Sequence, residues 1–197
     1  MVVSITKTYT VDEYLALEVG ADHRNEYRHG VILPMAGGTP THNKLNSNLN
    51  ALLWFGLKGK PYDLFIADQR LAIPASNLYT YPDVMVVPRP IELLPGRKDT
   101  VVNPILIAEV LSDSTKAYDR DEKFAAYRTI PTFQEYLLIN QHRMHVEHYA
   151  KQAVNQWLFT EYDGQTARIR FTSIEVEIGL ADLYETVEFE DEALEES

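Results

Sequence analysis

With 197 residues, 45% hydrophobic and 24% charged, the chain has the make-up of a globular protein able to bury a sizeable core. It contains no cysteine, which excludes a disulfide framework and a thiolate metal site and fits a cytoplasmic location. The formal net charge of −11 argues against broad contact with nucleic acid, so any such contact has to be local, or helped by metal ions or a partner subunit.

Met1 to Lys7 lacks the basic segment and long apolar core of a signal peptide. The apolar runs are strand-length, so no membrane span is expected. Thr10-Val11-Asp12-Glu13 has capping-box form and predicts a helix over 11–19, closed by Gly20 and Asp22. Glu26 to Arg28, the His29-Gly30 pair and Val31 to Leu33 predict a hairpin. After a Gly37-Gly38-Thr39-Pro40 loop, Leu45, Leu49, Leu52, Leu53 and Phe55 give one apolar face to a helix over 41–57.

Leu64 to Ala67 and Arg70 to Pro74 read as strands, and Tyr81 to Pro88 as a buried strand with Asp83 at its entrance. Residues 89–103 read as a mobile loop where Arg89, Arg97 and Lys98 concentrate positive charge. Pro104 to Leu111 is almost wholly apolar, the pattern of a central strand covered on both faces, yet it carries Glu109 near its end. Such a carboxylate is costly to desolvate unless something positive or hydrogen-bonding meets it.

A helix over 117–129 carries Asp119 and Lys123 and stops at Ile130-Pro131-Thr132. Glu135 to Asn140 is a third apolar strand, and the strand–helix–strand order predicts a right-handed parallel crossover. Met144 to Tyr149 and Trp157 to Tyr162 alternate like half-exposed strands, and Asp163-Gly164 reads as a hairpin turn before Ala167 to Phe171. Strand alternation places His145 on the face opposite His142 and His148, which argues against a zinc site there. The predicted fold is α/β, a central mixed sheet flanked by helices with extra antiparallel hairpins, as a single domain over 1–187. Residues 188–197 hold six acids and no base, which leaves −5 on the rest of the chain and reads as a flexible acidic tail.

Three charged groups carry the chemistry. If the strands bearing Asp83 and Glu109 are neighbours, both carboxylates approach one point at the sheet's edge. Two hard anionic oxygens and a backbone carbonyl such as that of Val110 suit Mg²⁺, which keeps waters for a substrate phosphate. Lys123, one turn before Tyr127, sits where an ammonium can orient water or stabilise phosphate charge. Each has a plainer reading: Asp83 organises a turn after Pro82, Glu109 is neutralised by Arg70 or Lys123, and Asp119 with Lys123 forms an exposed helix pair.

Tyr81-Pro82-Asp83-Val84, then Ile107-Ala108-Glu109-Val110-Leu111-Ser112, then Asp119 to Lys123 and Tyr127, resemble in this order the PD-(D/E)XK nuclease superfamily, and more narrowly its Uma-two branch. The likeness also takes in Tyr14, Glu26-Tyr27, His42-Asn43 and Glu135 to Ile139. It implies a restriction-endonuclease-like fold, Asp83 and Glu109 as metal ligands, and Mg²⁺, with Mn²⁺ as the alternative. Leu111 occupies the position of the usual E-x-K lysine, and the resemblance implies that Lys123 replaces it from the helix. Glu26 matches an acidic position that binds a second ion or holds Lys123; a surface carboxylate on a hairpin is the other reading. His42 either caps and packs its helix or touches phosphate. Asn140 stands where family members often carry Asp. The function implied is metal-dependent endonucleolytic hydrolysis of DNA, with a homodimer suited to double-strand cleavage. The alternative is a catalytically silent nuclease-fold module that binds nucleic acid or protein.

Overall fold

In a computed structural model that describes residues 7–35, 37–113 and 115–189, the chain opens with helix α1 (Val11–Val19). Its capping box forms as the sequence predicts: the Thr10 hydroxyl accepts from the Glu13 N–H, and the Glu13 carboxylate accepts from the Thr10 N–H at 2.7 Å. Strands β1 (Asn25–Arg28) and β2 (Val31–Pro34) form the predicted hairpin. Its tip residues, His29 and Gly30, both have positive φ, the geometry that matches strand twist in a two-residue turn. Helix α2 (Pro40–Gly56) starts with Thr39 as N-cap and Pro40 in its first turn, and buries Leu45, Leu49 and Leu53 along one stripe.

Six strands follow: β3 (Tyr62–Ile66), β4 (Arg70–Ile73), β5 (Leu78–Thr80), β6 (Val84–Pro88), β7 (Thr100–Val101) and β8 (Leu106–Leu111). Then α3 (Lys116–Tyr118), a π-helical turn (Asp119–Lys123) and α4 (Phe124–Tyr127) run on as one helical segment. The chain continues through β9 (Glu135–Asn140), β10 (His145–Ala153), β11 (Gln156–Asp163), β12 (Arg168–Phe171), β13 (Val176–Gly179) and the short α5 (Leu180–Leu183).

The central sheet has six strands in the order β11-β10-β9-β8-β6-β3, with β8 and β9 parallel as the crossover predicts and the other pairs antiparallel. Every residue of β8 is buried, the consequence of an apolar run covered on both sides. Alternation sorts its side chains. Leu106, Ala108 and Val110 face α2, β12, β13 and α5, while Ile107 and Leu111 face α4 and the β4–β5 strands. Glu109 shares the parity of the second face, so its carboxylate points into the layer that holds the 116–127 helical segment. A second sheet, β2-β1-β5-β4-β7, packs on that side, and α1 closes it with Tyr14 stacked on Tyr27 at 5.2 Å between ring centres.

Several elements differ from the sequence-based expectation. Asp83 lies one residue before β6, not inside it, and β5 forms where no strand is read. The 89–103 segment contains β7, and its positive charge is largely answered: Arg89 grips Asp63 with two nitrogens and Arg97 pairs with Asp99. Asp163-Gly164 does turn the chain, but the strands on either side do not pair; β11 pairs with β10, and β12 with β13. Residues 190–197 of the acidic tail lie outside the described residues. Among the described residues, no helix is long and apolar enough to cross a membrane.

Helix α2 positions the site through its buried stripe, so Leu49→Ala should lower stability by about 2–5 kcal/mol, the range for an emptied leucine site. Urea unfolding monitored by circular dichroism checks this, with exposed Trp54→Ala (58% exposed) expected to cost less than about 1 kcal/mol.

Candidate active site

The antiparallel register Val84↔Ala108 sets Asp83 directly across from Glu109 at the C-terminal end of β8. Side chains continue the ladder where β6 stops. The Val110 N–H donates to Asp83 Oδ2 at 2.8 Å, and the Asp83 N–H donates to Glu109 Oε2 at 3.3 Å. The two carboxylates expected to meet at one sheet end are therefore placed there by backbone pairing.

Around Glu109 the groups are buried and charged. Lys123 Nζ lies 3.2 Å from Glu109 Oε1, and the Tyr127 hydroxyl donates to the same oxygen at 2.7 Å. Lys123 is also 3.1 Å from Asp119 Oδ1 and 3.6 Å from Glu26 Oε1, and Glu26 in turn accepts from the Thr80 hydroxyl. Burial alone would lower the lysine's pKa, but the Glu109, Glu26 and Asp119 carboxylates outweigh it, so the ammonium stays charged. Glu109 moves the other way. Burial, reinforced by the Asp83 and Asp119 charges, exceeds the help of Lys123 and Tyr127 and pushes its carboxyl up to about 8.

Asp83 is met from the opposite face by α2. His42 Nε2 lies 3.2 Å from Asp83 Oδ2, and Asn46 Nδ2 donates to Oδ1 at 3.2 Å. Burial opposes both charges of this pair. The hydrogen bond and mutual attraction prevail, lowering Asp83 with added help from the Val110 N–H and raising His42. Gly38 presses on the imidazole: a Cβ there would sit 2.6 Å from His42 Nδ1, so only glycine allows the loop this close.

These groups open onto one cavity of roughly 440 Å³, which Glu26, His42, Asp83, Glu109, Val110 and Lys123 all line. Every residue singled out for the site from sequence thus faces a common space. Sequence reasoning placed some of the surrounding contacts differently. His42, weighed as a capping or packing residue or one near the site that touches phosphate, lines the cavity and touches Asp83. Asp119 and Lys123 do pair, yet at 2% and 7% exposure, not on an open helix face. Arg70 turns away from Glu109 to Tyr81 and Asp99. Asn46 and Tyr127 each stand one turn beyond a recognised residue, His42 and Lys123, and that spacing is the signal that finds them.

The remaining histidines have separate partners. His145 meets Asp163 at 2.8 Å, His148 meets Glu135 at 3.3 Å, and His142 lies in the turn before β10. Asn140 accepts from the N–H groups of His142 and Arg143 and so organises that turn.

Among the described residues, no three His, Asp or Glu side chains are gathered around a point where they could hold an ion. What the site offers is two adjacent carboxylates, with Glu109 Oε2 engaged only by the 3.3 Å contact, and the buried Asp119 Oδ1, which has no hydrogen bond because Lys123, though close, lies off its bonding direction. In an extended strand the N–H and C=O of one residue point the same way, so the Val110 carbonyl is on the Asp83 side. This all-oxygen set fits a hard cation that keeps several of its own waters.

The chain matches the Uma2 family, described as "Putative restriction endonuclease", over residues 11–181. It is 44% identical over 176 residues to the uncharacterized protein sll1609 of Synechocystis sp., which spans 89% of this chain and 99% of that protein. A second Synechocystis protein, slr1290, is 32% identical over 180 residues, covering 90% and 92%. The fold is similar to the crystal structure of a "putative nuclease belonging to DUF820" from Anabaena variabilis, with a TM-score of 0.73 at 18% identity over 89% of this chain and 97% of that one. That likeness bears on the fold alone. The family match takes in every residue that meets in the cavity, and the chain belongs to the Uma2 family.

Proposed function

We propose that the protein is a metal-dependent endonuclease that hydrolyses DNA phosphodiester bonds. The observation that carries this reading is Lys123, buried 3.2 Å from Glu109, which itself stands opposite Asp83 in an open cavity. Asp83, Glu109 and the Val110 carbonyl hold Mg²⁺, or Mn²⁺ in its place. The bound ion supplies Lewis-acid polarisation of the phosphoryl oxygen and a more acidic attacking water.

The chain's own groups do the positioning. His42 and Asn46 fix the Asp83 carboxylate from α2, and Tyr127 fixes Glu109 from α4. Glu26 and Asp119 anchor Lys123, whose ammonium orients water and offsets charge developing on the phosphate. Lys123 takes the part that Leu111 cannot play, since leucine has no ammonium group. The second reading, a silent nuclease-fold binding module, is favoured by one feature: each carboxylate already has a basic neighbour, His42 or Lys123.

Purified protein should nick plasmid or single-stranded DNA in Mg²⁺ or Mn²⁺, and Asp83→Ala, Glu109→Ala or Lys123→Ala should each slow cleavage by about 10²-fold or more. Cleavage that survives unchanged in Glu109→Ala after rigorous purification removes the mechanism and leaves the binding module.

Stability should report on the same carboxyl. An unfolded glutamate ionises near 4.5, whereas folded Glu109 keeps its proton to about 8, so the stability it contributes is full below pH 4.5 and is lost as pH rises through 8. Glu109→Gln does not titrate. In EDTA it should gain on the wild type between about pH 5 and 8, by on the order of 2–4 kcal/mol. Excess Mg²⁺ should raise the wild-type melting temperature and not the variant's. A pH-independent difference between the two would refute this role for Glu109.

A further inference from the structure

The site described above has an electrostatic problem as a DNA-binding surface. Glu26, Glu109 and Asp119 surround one lysine, Asp83 stands beside them against His42, and the chain as a whole carries −11. Phosphate attraction, which dominates ordinary DNA affinity, is weak for such a surface even with a cation bound. A substrate must be held by something other than charge.

A second cavity, of roughly 370 Å³, adjoins the first, and Tyr118 lines both. Leu78 and Ala125 give the second cavity apolar walls, and His29, exposed at the tip of the β1–β2 hairpin, stands at its rim. The Arg28 guanidinium lies over the Tyr118 ring at 4.3 Å. Glu122, 3.4 Å from Arg28, takes up part of the guanidinium's charge, so what Arg28 presents is chiefly a flat face. The Tyr118 hydroxyl is buried and has no hydrogen-bond partner among the described residues. A phenol ring and a guanidinium plane are the two surfaces on which nucleobases stack, and an apolar recess beside them fits a base that has left its helix.

We infer that the recess between the β1–β2 hairpin and the 116–127 helical segment is a nucleobase subsite, which takes the base of an unpaired nucleotide flanking the scissile phosphate, with the outer face of the Arg28 guanidinium, backed by the Tyr118 ring, as its stacking platform. This rests on the nuclease reading for its substrate, and it assigns that substrate a chemistry: single-stranded or locally unpaired DNA, gripped by stacking. Paired bases cannot enter, because their faces are already covered by neighbours in the duplex.

The test is a binding measurement on the full chain, made in Ca²⁺ to neutralise the carboxylates, with a fluorescein-labelled oligodeoxythymidine, the same strand annealed to its complement, and the same strand carrying abasic positions. Ala125 is exposed, so Ala125→Trp fills the recess without entering the core, and its melting temperature is compared with that of the wild type. The wild type should prefer the single strand to the duplex, and both Ala125→Trp and abasic positions should weaken binding roughly tenfold, the scale of one lost base stack. The two effects should not add, because both remove the same contact. Arg28→Ala should weaken binding in the same way and Arg28→Lys should fail to restore it, since lysine has the charge but no plane. Equal binding of intact and abasic strands, or wild-type affinity in a folded Ala125→Trp protein, overturns the subsite. A protein that cleaves DNA but ignores abasic positions keeps the nuclease reading and loses this one. A protein that discriminates abasic strands and never cleaves does the reverse.

Discussion

A single ammonium group behind the central sheet holds the site together. Lys123 meets carboxylates from β1, β8 and its own helical segment within 3.6 Å, in a region from which water is largely excluded. Buried charges are tolerated when paired and hydrogen-bonded, and removing one partner leaves the others uncompensated. Here three carboxylates share one lysine, so the compensation is incomplete, and Glu109 responds by holding its proton to about pH 8. The site is thus short of positive charge in a way that a divalent cation would answer.

The architecture delivers these groups from separate layers. Asp83 and Glu109 come from neighbouring strands whose register fixes them face to face. His42 and Asn46 reach Asp83 from α2 on one side of the sheet, and Lys123 and Tyr127 reach Glu109 from the other. The site therefore lies where the sheet ends between two packed layers, and its geometry is inherited from both cores. The π-helical turn over Asp119–Lys123 belongs to this arrangement. Asp119 and Lys123 line the cavity from it, while Ala126 and the Tyr127 ring, just beyond, pack in the apolar layer.

The proposed substrate handling follows from the same charge shortage. A protein with scattered, mostly paired cations has little to offer the DNA backbone, and Arg89, Arg97 and Arg120 are each taken by a carboxylate. The planar surfaces at Arg28 and Tyr118 adjoin the cavity, and in the proposed subsite they would hold a base without relying on net charge. Stacking loses little to salt, whereas backbone contacts lose much.

Much of this was legible in the residues themselves. The apolar run at 104–111 reads as a covered strand, and the Thr10–Glu13 capping box and the His29-Gly30 turn are local signals that need no tertiary support. The order of Asp83, Glu109 and Lys123 pointed to one site through its resemblance to the PD-(D/E)XK pattern, and the sheet register then made their strands neighbours. Local sequence could not decide what depends on burial. Asp119 and Lys123 look like an exposed pair because an i, i+4 spacing is the same on either face of a helix, and only packing against β8 buries it. His42 looks like a capping residue because its partner lies 41 positions away, and only the placement of α2 on the sheet brings Asp83 to it. The pairing of β12 with β13 was likewise beyond reach, since Asp163-Gly164 specifies a turn but not which strand is taken up after it. Sequence determined the elements and the identity of the charged groups; tertiary structure decided which of them share a buried space, because desolvation and pairing are properties of neighbours distant along the chain.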